Sequence, residues 1–280
     1  MTIAVIAPFF TRRSYIERLQ GVEHVLSSSG YDLVLYNVES VERRNDCLRL
    51  APRRERVDGL LILSLAPSDE EAAHLVNARV PTVLVDAYHS DLSTVQVDDV
   101  TGAMTAVNYL IEQGHNRIGY VGEVLDDNPF RFQPIHDRYI GYRQALESAG
   151  IAYDPELHAQ GRYGWRGASR MTADLLQVDA PPTAIFAYCD TMALGVLEAA
   201  QESGRQIPRD LSVIGFDDVE IAQYFQLTTM RQPLYETGAR GAELLMELVD
   251  SGNHMPVEHI YLPTELVVRR TTTPADTEFE

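Results

Sequence analysis

Lysine is absent from this chain: all 23 basic residues are Arg. A P-loop phosphate lysine, a Schiff base to pyridoxal phosphate or an aldol substrate, a kinase lysine and a lysine general base are all excluded with it. Cysteine is scarce. Cys47 and Cys189 stand far apart without metal spacing, which rules out a disulfide framework and fits a reducing compartment. Positive charge is outnumbered, 23 against 41 acidic residues, so a net charge of −18 gives an average field that repels polyanions such as DNA. No apolar run reaches the roughly 18 residues of a membrane span. The stretch Met1 to Phe10 has no basic flank and no small-residue cleavage site, so no signal peptide is read and a cytoplasmic location is expected, with no membrane partner. What is present, 45% hydrophobic and 23% charged residues, is the composition of a globular protein and not of a disordered one.

Along the chain two hydrophobic periods alternate. Short continuous apolar runs, Thr2 to Ala7, Tyr31 to Val38, Val57 to Leu63, Pro81 to Asp86 and Thr94 to Asp99, read as strands buried in a parallel sheet. Between them lie helical patterns, Ser14 to Ser29 closed by Gly30, Asp69 to Ala78, and Thr101 to Gln113 closed by Gly114. The series restarts at Arg117, with strands at Arg117 to Gly122, Thr183 to Tyr188 and Leu211 to Phe216 and helices at Asp137 to Ala149 and Asp190 to Ser203. Two successive series of this kind predict an α/β protein of two doubly wound parallel-sheet lobes. A late helix, Leu234 to Asp250, and a strand-like stretch, Glu258 to Val268, remain unassigned to a lobe by pattern alone, and the polar tail is expected to fray.

Ligands of open α/β sheets bind beyond the carboxyl ends of the strands. Carboxylates follow several strands here: Asp86, Asp98 and Asp99, Asp190, and Asp217 and Asp218. Such residues also cap helices, a reading that weighs equally for Asp190, whereas Asp217 has no evident helix close behind it. The cluster reads as hydrogen bonding to a polyhydroxylated ligand more readily than as a metal or acid/base site. No nucleophile follows the first strand, the eight His are scattered without HExxH, and neither a GxSxG elbow, a GxGxxG fingerprint nor a CxxC is present. No metal, cofactor or catalytic group is expected. Aromatics occupy the loops instead, among them Phe9 and Tyr15 near the first strand, Phe130 and Phe132 in a long Asp-, Pro- and Phe-containing loop, and Tyr163 beside the sole Trp165. Ring faces of this kind stack on sugar or base rings, although core filling explains most aromatics equally well.

Four stretches together resemble one family. GHNRIGYVG (Gly114 to Gly122), RYIGYRQALESAGI (Arg138 to Ile151), PPTAIFAYCDTMALGVLEAAQESGRQIPRDLSVIGFDD (Pro181 to Asp218) and LTTMRQPLYETGARGAELLMEL (Leu227 to Leu248) are similar to the effector-binding half of LacI/GalR-type transcription regulators. The resemblance spans about Thr2 to Arg270 and implies a periplasmic-binding-protein-like fold of two lobes joined by three crossovers, with a sugar-like effector held between them. It implies an N-terminal lobe of 1–113 and 233–254, a C-terminal lobe of 114–232 and 255–271, and a disordered tail at 272–280. By the same resemblance Arg138 grips ligand hydroxyls, Asp217 binds ligand after the VIGF strand, and Asp190 lies beside a ligand-binding position. Cys189 there replaces the family's usual asparagine, Tyr163 is a stacking aromatic, and Gln232 stands at the third crossover. Asp98, Phe9 and Tyr15 complete the expected ligand set. The loop before Arg138 is longer than the family's. Also implied are a homodimer and operator DNA bound through a helix-turn-helix head that these residues do not include. A solute-binding protein of a sugar transporter shares the fold and is the rival reading, to be separated by whether a helix-turn-helix or a secretory signal precedes this segment.

Overall fold

A computed structural model describes residues 1–53 and 55–275. In chain order the first elements are β1 (Thr2–Pro8), α1 (Arg13–Leu26), β2 (Asp32–Val38), α2 (Val41–Leu50), β3 (Gly59–Leu63), α3 (Asp69–Ala78), β4 (Thr82–Val85), β5 (Ser93–Val97) and α4 (Asp99–Glu112). Then follow β6 (Ile118–Glu123), α5 (Gln133–Ser148), β7 (His158–Gly161), α6 (Trp165–Leu175), β8 (Ala184–Ala187), α7 (Asp190–Glu202), β9 (Ser212–Asp217), α8 (Glu220–Tyr224), β10 (Thr228–Arg231), α9 (Leu234–Asp250), β11 (His259–Leu262) and β12 (Glu265–Val267).

The strands form two six-stranded sheets of equivalent order, β11-β5-β4-β3-β1-β2 and β12-β10-β9-β8-β6-β7. Every described pairing is parallel except β10 with β12. In each sheet the strand order reverses beside the first strand, between β1 and β3 in one and β6 and β8 in the other, and such reversals open a crevice at the carboxyl ends.

Lobe 1 comprises Met1–Val97, Asn128–Gln133 and Pro233–Pro263. Its core packs Ile3, Val5, Leu61, Leu63, Val83, Val85 and Val95 of the sheet against Val22 and Leu26 of α1 and Leu244, Leu245 and Leu248 of α9. Each such side chain contributes about 1.5–3 kcal/mol by leaving water. Helices α1 and α9 touch backbone to backbone, because a Cβ at Gly238 would overlap the Arg18 carbonyl and one at Gly21 the Tyr235 carbonyl. Helix α3 begins with a full capping box, Ser68 and Glu71 bonding each other's backbone N–H.

Lobe 2 comprises Asp98–Asp127, Pro134–Gln232 and the described residues 264–275. The division departs from the expected 1–113/233–254 and 114–232/255–271 boundaries in three places. Helix α4, expected in lobe 1, packs on β8, β10 and β12, where Gly102 leaves room for the Phe216 ring. The single strand-like stretch Glu258 to Val268 is two strands: β11 pairs with β5 of lobe 1 (His259 opposite Thr94), and β12 pairs with β10 of lobe 2 (Thr229 opposite Val267). Residues 128–133 group with lobe 1 although the stretches on either side group with lobe 2.

The expected disordered tail is ordered at its start. His115 approaches the Thr273 carbonyl at 3.0 Å, and the Ala275 N–H donates to Gln113 at 2.7 Å; residues 276–280 of that expectation lie outside the described ones. The sequence pattern also passes over α2, β7, α6, α8 and β10. Their runs are short or mostly polar, as in VERRNDCLRL, so tertiary packing, with the Ser40 cap for α2, decides them.

Candidate functional site

In lobe 2 the expected ligand residues converge where β8 and β9 end. Arg138 rises from the second turn of α5 and is 3% exposed. Its Nε donates to Asp99 Oδ1 at 2.7 Å, and its Nη1 donates to the Tyr188 carbonyl at 2.8 Å and to Asp217 Oδ1 at 3.3 Å. The guanidinium plane lies 3.8 Å over the Phe216 ring and 4.8 Å from that of Tyr188, so aromatic faces complete its enclosure. Burial alone would pull the Arg138 pKa down; the carboxylates of Asp99 and Asp217 outweigh it and hold the group well above its ordinary value. The cation is permanent.

Asp217 ends β9 with φ +119, followed by Asp218 at φ +59, a pair of backbone conformations that L-residues rarely adopt. Gln232 Nε2 donates to Asp217 Oδ1 at 2.6 Å, so one oxygen of that carboxylate receives both Gln232 and Arg138. Cys189 is the N-cap of α7 and makes no capping bond with its side chain; burial, with the Asp217 charge added, pushes its thiol well up, so it stays protonated. Arg138, Asp217, Gln232 and Cys189 therefore form one polar cluster, together with Asp99, which sequence reasoning set among the strand-end carboxylates without giving it a site role.

Three other expected lobe 2 residues are engaged differently. Asp98 caps α4, its oxygens accepting from the Thr101 N–H at 2.9 Å and the Thr101 hydroxyl at 2.7 Å. Of two adjacent aspartates the first caps the start of the helix and the second turns inward to Arg138. Asp190 is fully buried, accepting from the Val219 N–H at 3.0 Å and the Thr229 hydroxyl at 2.5 Å, so it ties the turn after β9 to β10 in place of capping α7. Burial, then the charge of Asp217, raises its pKa well above the ordinary carboxylate value. Tyr163 donates to Thr191 Oγ1 at 3.3 Å, beside the start of α7.

Lobe 1 holds the remaining two. Phe9 directly follows β1 at φ +42, its ring 5.3 Å from that of Phe130. Tyr15 is a buried core residue of α1, pushed up to about 12 by burial and then by the Asp86 charge. Asp86, at the end of β4, accepts from Arg18 at 2.8 Å and from the Ser64 hydroxyl at 2.5 Å, a second buried polar group at strand carboxyl ends. Among the described residues no group of His, Cys, Asp and Glu could hold a metal ion, and no helix is long and apolar enough to cross a membrane.

Comparison with known proteins bears on the family and the fold. The model of the periplasmic binding protein-like domain matches residues 107–272. The HTH-type transcriptional repressor CytR of Escherichia coli K12 is 34% identical over 276 residues, covering 97% of this chain and 79% of the repressor. The crystal structure of a LacI family transcriptional regulator from Enterococcus faecium with bound ribose superposes with a TM-score of 0.86 at 28% identity, covering 99% of this chain and 100% of that one. The complex of the transcriptional regulator CelR with cellobiose gives 0.84 at 29% identity, covering 96% and 84%. With its two parallel-sheet lobes and repressor relatives across nearly its whole length, this chain belongs to the LacI family of transcriptional regulators.

Proposed function

We propose that this chain is the effector-sensing part of its regulator and that its effector is a neutral, hydroxyl-rich small molecule, sugar-like in its chemistry. The observation that carries the reading is the buried Asp99–Arg138–Asp217–Gln232 cluster at the carboxyl ends of the lobe 2 strands. A guanidinium has five N–H donors in a fixed fork. The Asp99, Tyr188 and Asp217 bonds fix the guanidinium in place, so its N–H donors and the Asp217 carboxylate stand side by side at the strand ends. One donor group and one acceptor group fixed side by side fit the donor-acceptor character of a diol, and the LacI-type neighbours solved with ribose and cellobiose support that class. Tyr163, in the same lobe, supplies a ring face for such a ligand.

No bond is made or broken. An effector with unequal affinity for two conformers shifts their populations, and the operator affinity of the complete regulator follows that shift. DNA contact belongs to a helix-turn-helix segment outside the described residues, in keeping with the net charge of −18 here. The regulator works in the cytoplasm as a homodimer, with the N-terminal lobe as its dimerisation lobe. A thermal-shift screen against sugars, sugar phosphates and nucleosides tests the reading. A ligand that binds only the native state raises the melting temperature by mass action. Neutral sugars are expected to stabilise the protein; stabilisation by phosphorylated compounds alone would overturn the assignment.

A further inference from the structure

Residues 128–133 are built as a strap. Asn128 clasps its own loop, donating through Nδ2 to the Phe132 carbonyl at 2.8 Å and accepting the Phe132 N–H on Oδ1 at 2.9 Å. At one end the strap is fixed by aromatics. Phe130 stacks on Phe132 (5.4 Å, 8°) and meets Phe9 in a T-shaped contact at 5.3 Å, while the Arg12 guanidinium lies 4.5 Å over the Phe9 ring. At the other end Gln133 is fixed by hydrogen bonds: its Oε1 accepts from the Tyr88 N–H at 2.6 Å and its Nε2 donates to the Tyr88 carbonyl at 3.4 Å.

The two anchors stand over different strands. Phe9 directly follows β1 and Tyr88 lies three residues beyond β4, and in the sheet β3 runs between those two strands. The strap therefore crosses the carboxyl end of β3, where Ser64 and Asp86 make their 2.5 Å bond, at the point where the strand order of lobe 1 reverses. Phe9 (φ +42) and Arg131 (φ +61) both hold left-handed backbone. The strap meets the rest of lobe 1 through the Phe130–Phe9 ring contact and the Gln133–Tyr88 bonds, few enough to be broken locally.

We infer that residues 128–133 form a gating strap over the carboxyl end of the lobe 1 sheet, held shut by Phe130 on Phe9 and by Gln133 on Tyr88, and that small molecules reach this crevice only when it opens. The inference deepens the effector reading above, since it makes the rate of effector exchange a property of the strap, and its test uses no effector, so the two can fail separately.

The probe is a thiol beneath the strap. Ser64, 2% exposed, is replaced in a Cys47→Ser, Cys189→Ser, Ser64→Cys parent, and its reaction with dithiobis(nitrobenzoate), an aromatic anion of roughly disaccharide-like bulk, is timed. Adding Phe130→Ala is expected to speed the reaction about tenfold, the value of one lost aromatic pair in the open-to-closed ratio. Gln133→Ala, which leaves the aromatics untouched, is expected to speed it several-fold, and the two together more than either. Equal rates in parent and Gln133→Ala, with circular dichroism and melting temperature unchanged, would overturn the strap. Acceleration by Phe130→Ala accompanied by a fallen melting temperature would count against it unless Gln133→Ala also accelerates.

Discussion

Asp98 and Asp99 are adjacent in sequence, equal in chemistry and opposite in use, so replacing each by Ala should give costs of different size and origin. Asp98 is exposed and caps α4 through the Thr101 N–H at 2.9 Å; loss of such a cap costs about 1 kcal/mol. Asp99 is 7% exposed and pairs with Arg138 at 2.7 Å, and removing one partner of a buried ion pair costs about 3–5 kcal/mol. Arg138 would keep Asp217 at 3.3 Å and the Tyr188 carbonyl at 2.8 Å, so the lower end, about 3 kcal/mol, is expected. Urea unfolding followed by fluorescence of Trp165, the sole tryptophan, reads lobe 2 specifically because that residue opens α6. Asp99→Ala should lower the midpoint by roughly three times as much as Asp98→Ala, at unchanged slope. Equal losses, or a larger loss in Asp98→Ala, would refute the assignment of the buried role to Asp99.

Other consequences are open to the same methods. Burial, then the Arg143 charge, lowers His158 from 6.5 to about 4, so between those values the unfolded chain binds a proton the folded one refuses, and stability falls as pH drops through the window. The effect is at most about 3 kcal/mol, less for the residue's partial exposure; His158→Gln should flatten the unfolding midpoint against pH between 6.5 and 4, and an unchanged slope would contradict the cause. Asp190 has its pKa raised, so its charged form is the costly one at neutral pH. Asp190→Asn, which can still serve Val219 and Thr229, should be neutral or stabilising at pH 7, whereas Asp190→Ala orphans the Val219 N–H at a cost of about 1–3 kcal/mol. Gly238→Ala would drive a methyl into the Arg18 carbonyl and should destabilise lobe 1 by about 3 kcal/mol or more, since backbone on both sides resists the shift.

Long periodic elements were legible in the chain. The helices at Asp69–Ala78 and Leu234–Asp250 fall where their apolar spacing puts them, and β1 and β3 follow their apolar runs closely. Helix α6 was not legible, because GRYGWRGASRM carries Gly164 at φ +120 as the helix N-cap and reads as loop until the Gly195 backbone of α7 packs against it. The lobe boundary at Val97 was hidden for a related reason: α4 continues the pattern of the preceding strands, and only its contacts with β8, β10 and β12 assign it elsewhere. At the site, strand-end carboxylates could be found from spacing alone. Their uses could not, because Asp98, Asp99 and Asp190 differ in whether the side chain meets a helix terminus, a guanidinium or a turn N–H, and that follows from tertiary geometry. The fragment 128–133 gave its aromatic content to sequence reading but not its place in lobe 1.

The most direct measurement of the central claim is calorimetric titration of Asp217→Asn and the parent protein with D-ribose, and with whichever other neutral sugar stabilises the parent most. The amide can still accept from Gln232 and Arg138, so folding survives while the anionic acceptor for ligand hydroxyls is lost. An affinity weaker by about 10- to 100-fold, about 1.4–2.7 kcal/mol, is the expected result. An affinity equal to that of the parent would show that the effector is held elsewhere.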